Sequence, residues 1–171
     1  MEFTYTTMLE AVQTGNLEKV ELLIADGVRI CPDYMLEAIV RNNPDMVELL
    51  LAYGAGVCND FMLEAVRRGN SRIAKLLLEN GIHMPCYRAM IKAIKAGDLE
   101  MVEMFLERGT KISPDYMVKA IKAGDLAMVK LFLERGTNIC PEYMVKAIKE
   151  GDLEMVKLLK QAEAALGSEQ H

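Results

Sequence analysis

Three pairs of lysines carry the clearest chemical pattern in this sequence: Lys92 and Lys95, Lys119 and Lys122, and Lys146 and Lys149. Each pair is spaced i, i+3, so on a helix both ammonium groups share a face. The pairs recur every 27 residues. Stacked helices lie about 8–10 Å apart, so six ammonium groups would form a two-column strip. Such a strip attracts an acidic peptide, an acidic protein surface or a phosphate-bearing partner by electrostatic steering. Earlier in the chain the same positions hold Glu10 and Gln13, Glu37 and Val40, and Glu64 and Arg67; Arg41 and Arg68 follow one residue later. The strip thus runs from acidic or mixed to basic, and Arg67 and Arg68 belong to it as candidate partner contacts. The alternative is a solvated face copied by duplication, its lysines paired to nearby glutamates.

A second ladder is aromatic: Tyr34, Phe61, Tyr116 and Tyr143. These rings could anchor a partner, or close the loop ends of a core with the phenol oxygen wet. Four cysteines are expected to be reduced thiols. Cys31, Cys58 and Cys140 share one place in the pattern and would be too far apart for a disulfide or for one zinc ion. Cys86 is the thiol expected to be most accessible. Only His83 and His171 are present. No nucleophile–base cluster, phosphate-cradling glycine loop or metal-ligand spacing occurs. The sequence therefore suggests no catalytic residue, no metal and no cofactor.

These residues ride on a repeat. The phrase Met-apolar-(Glu/Lys)-Ala begins at Met8, Met35, Met62, Met90, Met117 and Met144, at intervals of 27, 27, 28, 27 and 27 residues. Six repeats follow: 5–31, 32–58, 59–85, 86–113, 114–140 and 141–167. The extra residue falls in the loop 81–87. Each repeat predicts two short helices. The first ends at Gly15, Asn42, Gly69, Gly97, Gly124 or Gly151, residue types that enter the left-handed conformation cheaply. Asn16, Asn43, Asn70, Asp98, Asp125 and Asp152 come next and are strong N-caps for the second helix. So short a connection makes the two helices antiparallel neighbours. A loop of about eight residues leads to the next repeat. Helices this short persist only when stacked. The expected fold is all-α: a solenoid of six stacked antiparallel helix pairs, forming a single repeat domain over 1–167 with a frayed tail at 168–171.

The ends of the array support stacking. Lys19 stands where later repeats have Met46, Ile73, Met101, Met128 and Met155. Lys160 stands where earlier ones have Ile24, Leu51, Leu78, Leu106 and Leu133. Charge at these two places predicts that both ends of the stack are solvated. The last helix lacks its closing glycine and should run on for about one extra turn.

The phrases Gly15-Asn-Leu-Glu-Lys-Val-Glu-Leu-Leu-Ile-Ala-Asp-Gly27 and Gly97-Asp-Leu-Glu-Met-Val-Glu-Met-Phe-Leu-Glu-Arg-Gly109 resemble the second half of an ankyrin repeat. Ankyrin repeats usually have about 33 residues; here there are 27. The shortfall falls in the loop that forms the family's projecting β-turn fingers. The family's Thr-Pro-Leu-His opening is replaced by Asp33-Tyr34-Met35-Leu36. The resemblance implies an ankyrin-like array without long fingers, acting as a non-catalytic protein-interaction module or scaffold.

Bulk properties fit this. Net charge is −5, which disfavours a generally basic nucleic-acid binder. Residues 1–85 hold 7 Lys+Arg against 12 Asp+Glu, and residues 86–171 hold 13 of each. No apolar run approaches the roughly 20 residues that span a bilayer, and Met1–Tyr5 shows no secretory start. A monomeric cytoplasmic chain that binds a protein or acidic peptide on its first helices is the expectation. The near-identity of the last three repeats also admits a structural or engineered scaffold with no evolved ligand.

Overall fold

The structure of the protein, a computed structural model, describes residues 2–83 and 86–168, without the side chains of 2, 3 and 166–168. Twelve helices and no strand occur among the described residues. They are α1 (Glu2–Thr14), α2 (Leu17–Ala25), α3 (Pro32–Val40), α4 (Pro44–Ala52), α5 (Asn59–Arg67), α6 (Ser71–Glu79), α7 (Tyr87–Ala96), α8 (Leu99–Glu107), α9 (Pro114–Lys122), α10 (Leu126–Glu134), α11 (Pro141–Glu150) and α12 (Leu153–Ser168). These are the six expected helix pairs. The returning loops 26–31, 53–58, 108–113 and 135–140 are six residues long rather than eight. The second helix carries on almost to its closing glycine, and the next first helix starts at once, with proline at N1 in α3, α9 and α11. Met84 and Pro85, in the loop with the extra residue, lie outside the described residues.

The hinge inside each pair is the most regular feature, and its hydrogen bonds explain the sequence there. In all six repeats the Asn or Asp backbone N–H donates to the carbonyl of the repeat's alanine five residues back, as Asp125 does to Ala120 at 3.1 Å and Asn43 to Ala38 at 3.0 Å. The residue before it donates to the carbonyl three back, as Gly124 does to Ile121 at 3.0 Å. This is the Schellman closure of a helix, which needs a left-handed residue between the two donors. Gly124 supplies it at φ 66°, and Asn42 does so at φ 58°, the one non-glycine residue with positive φ among the described residues. The same Asp or Asn then caps the next helix. Its side-chain oxygen accepts from the N–H three residues on: Asp125 from Met128 at 2.9 Å, Asn70 from Ile73 at 2.8 Å.

The chain divides into two compact units, Met1–Ala89 and Met90–His171. In the first, α1, α3 and α5 lie side by side as one layer, and α4 packs beside α6 in the second layer. In the second, α9 and α11 form one layer while α8, α10 and α12 form the other. Between the layers sit Met8, Met35, Met62, Met90 and Met117 with the hinge alanines, all at most 1% exposed. From the other side come Met46, Leu50, Ile73 and Leu77 in the first unit and Met101, Phe105, Met128 and Phe132 in the second, all fully buried. Burying side chains of this size contributes about 1.5–3 kcal/mol each before chain entropy is counted.

The ends differ from expectation, since the first exposes an apolar residue, Leu22 at 68%. Lys19 and Lys160 are exposed as predicted. Yet Ile148 is 60% and Leu153 74% exposed, and Met144 is only half-buried. The reason is that the charged replacement lies on α12 alone, while α11 keeps the interior sequence of the earlier repeats. The last repeat therefore shows an apolar face rather than a fully solvated one. Helix α12 runs to Ser168, 16 residues against 9 for α10, a longer extension than the single turn expected. Of the supposed frayed tail, Ser168 is helical and 169–171 lie outside the described residues.

Candidate functional site

The lysine strip lies wholly in the second unit, on α7, α9 and α11. Its two columns are not equivalent. Lys95, Lys122 and Lys149 are exposed, and no acid among the described residues pairs with them. Lys119 and Lys146 are half-buried and tied to their own helices. Lys119 Nζ lies 3.5 Å from Asp115 Oδ1, and Lys146 Nζ lies 3.0 Å from Glu150 Oε1. Lys92 is exposed. The local-pairing reading therefore holds for Lys119 and Lys146, and the open column is Lys95–Lys122–Lys149.

The first-helix arginines Arg41, Arg67 and Arg68 of the first unit are engaged. Arg67 and Arg68 both hold Glu64, each through Nε at 2.9 Å, and Arg67 adds a second bond from Nη2. The Arg67 hydrogen bond is the main reason that the Glu64 carboxyl is held below its ordinary pKa, with Arg68 adding to it. Arg41 is bound likewise to Glu37 at 2.6 Å. On the first unit this helix face is a set of closed ion pairs, whereas on the second it is cationic and partly open.

The aromatic ladder is core. Tyr34, Phe61, Tyr116 and Tyr143 are 2–5% exposed. Their rings offer no surface to a partner, which corrects the reading of them as anchors. They stand at the first turn of their helices, directly before the buried methionine, and fill the space under the returning loops. Burial, with the nearby Cys31 and Cys140, pushes the phenols of Tyr34 and Tyr143 up to about 12. Tyr34 packs on Tyr5 with ring centroids 5.4 Å apart, and Tyr5 donates to Asp33 at 3.1 Å. The cysteines are all free. Cys58 is the exposed one, not Cys86, which is partly covered.

One element of the surface escaped the sequence reading. Each repeat methionine is followed by a second apolar residue: Leu9, Leu36, Leu63, Ile91, Val118 or Val145. Consecutive helix residues sit about 100° apart, so the second cannot share the core fully. All six are half-buried or exposed, with Leu36 at 42% and Val145 at 49%. In the second unit Ile91, Val118 and Val145 lie four residues before Lys95, Lys122 and Lys149, on the same helix face. The signal was visible as paired apolar residues in a helix that can bury only one of them. The resulting surface, apolar with a cationic edge, can dock a segment and has no group arranged for bond-making. Among the described residues no cluster of His, Cys, Asp or Glu could hold a metal ion.

Comparison with known proteins agrees with this architecture. The family model for ankyrin repeats (3 copies) matches residues 34–117. The crystal structure of the human ASB11 ankyrin repeat domain is similar to this chain with a TM-score of 0.69 at 21% identity, covering 91% of this chain and 82% of that one. No curated protein matches the sequence. Residues 34–117 thus match ankyrin repeats, and the fold of the chain is that of an ankyrin-repeat solenoid.

Proposed function

We propose that the protein is a non-catalytic interaction module, and that the first helices of its second unit bind an acidic segment of a partner protein. Ankyrin repeats generally mediate protein–protein interaction. The observation that carries the finer reading is the open column: Lys95, Lys122 and Lys149 are exposed, lack an ion-pair partner among the described residues, and each lies one turn from a part-exposed aliphatic residue. A partner helix with carboxylates seven residues apart spaces them by about 10.5 Å, matching the spacing of stacked helices.

The test is fluorescence anisotropy with a labelled helical peptide carrying glutamates at every seventh position beside leucines. The triple substitution Lys95→Glu, Lys122→Glu and Lys149→Glu is expected to weaken binding at least about tenfold and to flatten its salt dependence. Equal binding by the triple variant would remove the proposal. The second reading is a scaffold with no evolved ligand. It is favoured by the identical stretches Lys92–Leu99 and Lys119–Leu126, and it expects no saturable peptide binding at all.

A further inference from the structure

The returning loops of successive repeats enclose a cleft, and its lining can be compared at equivalent places in the two units. In the first unit the cleft measures about 300 Å³ and is lined by apolar groups, among them Ile30, Pro32, Ala55, Val57 and Phe61. In the second unit it measures about 540 Å³, and Thr110, Lys111, Arg135, Thr137 and Asn138 join its lining. By position in the repeat, Thr137 replaces Ala55, Asn138 replaces Gly56 and Arg135 replaces Tyr53. Thr110 likewise replaces Val28, whereas Lys111 stands where the first unit already has a basic residue, Arg29, so the substitutions that change the chemistry are those at 110, 135, 137 and 138.

That change is of one kind: every group gained can donate a hydrogen bond, and no carboxylate lines the cleft. Lys111 and Arg135 are exposed, and neither makes an ion pair among the described residues. The hydroxyl oxygens of Thr110 and Thr137 are shut from solvent and have no hydrogen-bond partner. A buried hydroxyl without a partner is costly, and a small rotation about its side-chain bond can offer it to a ligand. Leu106, Ile112 and Tyr143 add apolar walls to the cleft.

We propose that this cleft is an oxyanion site that takes a carboxylate or phosphate group. The Arg135 guanidinium offers a planar fork of donors suited to two oxygens of one anion. Lys111 adds a point charge, and the Thr137 and Asn138 side chains donate from the loop beside it. The site is built on returning loops and is independent of the first-helix lysines.

The experiment is an amide ¹H–¹⁵N titration of the full chain with sodium phosphate and, separately, sodium acetate, at ionic strength held constant with chloride. Saturable shifts are expected in residues 109–113 and 135–139, with loops 27–31 and 54–58 unmoved. Arg135→Gln together with Lys111→Gln should weaken binding about tenfold or more. Lys122→Glu should leave it unchanged, which separates this site from the peptide-binding face. Tighter binding of phosphate assigns a doubly charged group, and equal binding of acetate assigns a carboxylate. Shifts that do not saturate, that chloride reproduces, or that survive the double substitution would overturn the proposal.

Discussion

Ile121 and Ile148 occupy the same place in an identical pentapeptide, Val-Lys-Ala-Ile-Lys, yet Ile121 is 1% exposed and Ile148 60%. Sequence and local helix are the same, so the difference comes from what packs on that face: α11 lies beside α9, and no further first helix lies beside α11 among the described residues. Ile121→Ala is expected to cost about 2–4 kcal/mol, as for a buried aliphatic side chain. Ile148→Ala should stay within about 0.5 kcal/mol, as at an open surface. Urea unfolding followed by circular dichroism measures both; equal losses would contradict the open end.

The hinge predicts a graded series at one residue. Asp125→Ala removes the acceptor for the Met128 N–H and should cost about 1 kcal/mol. Asp125→Asn should be close to neutral, because Asn16, Asn43 and Asn70 make the same bond in the first three repeats. Thermal melts of the two variants beside wild type decide the point.

The Glu64 group predicts an acid-side effect. Arg67 and then Arg68 lower its folded pKa. Its contribution is therefore present above the unfolded carboxylate value and fades as pH falls through the folded one. Glu64→Gln should cost about 0.5 kcal/mol at neutral pH, the size of an exposed pair. The gap between wild type and variant in urea midpoint should close in acid; a gap that is constant with pH would show that the loss is not ionic.

Tyr34 and Tyr143 predict the opposite limb. Their folded pKa is raised to about 12 from 10. The stability this represents is complete below 10 and is lost as pH rises towards 12. Phenolate absorbance should show these groups ionising late, together with loss of helical signal. Tyr143→Phe should move the alkaline transition upward.

Much of this fold was legible because the chain states it six times. The methionine interval marked the repeat, and the Gly-Asp dipeptide marked the hinge where two hydrogen-bond duties meet on one residue. Less was legible at the surface. Which of Lys119 and Lys122 is free depends on Asp115 one turn away, and the lysine spacing alone says nothing of that. Burial of Tyr116 depends on the loop above it rather than on its own helix. Exposure of Ile148 could not be inferred from Lys160, since the two helices of one pair are capped independently.

The hinge also has a consequence for how such a chain can change. Asp125 closes α9 with its backbone and opens α10 with its side chain, so the crossing contains no spare position. One residue inserted there would turn α10 by about 100° about its axis and carry Met128 away from the core. The single extra residue of this protein lies instead in the loop 81–87, outside the hinges. The hinge thus acts as a phase lock, and variation in repeat length is confined to the loops, the same segments whose side chains differ most between the two clefts.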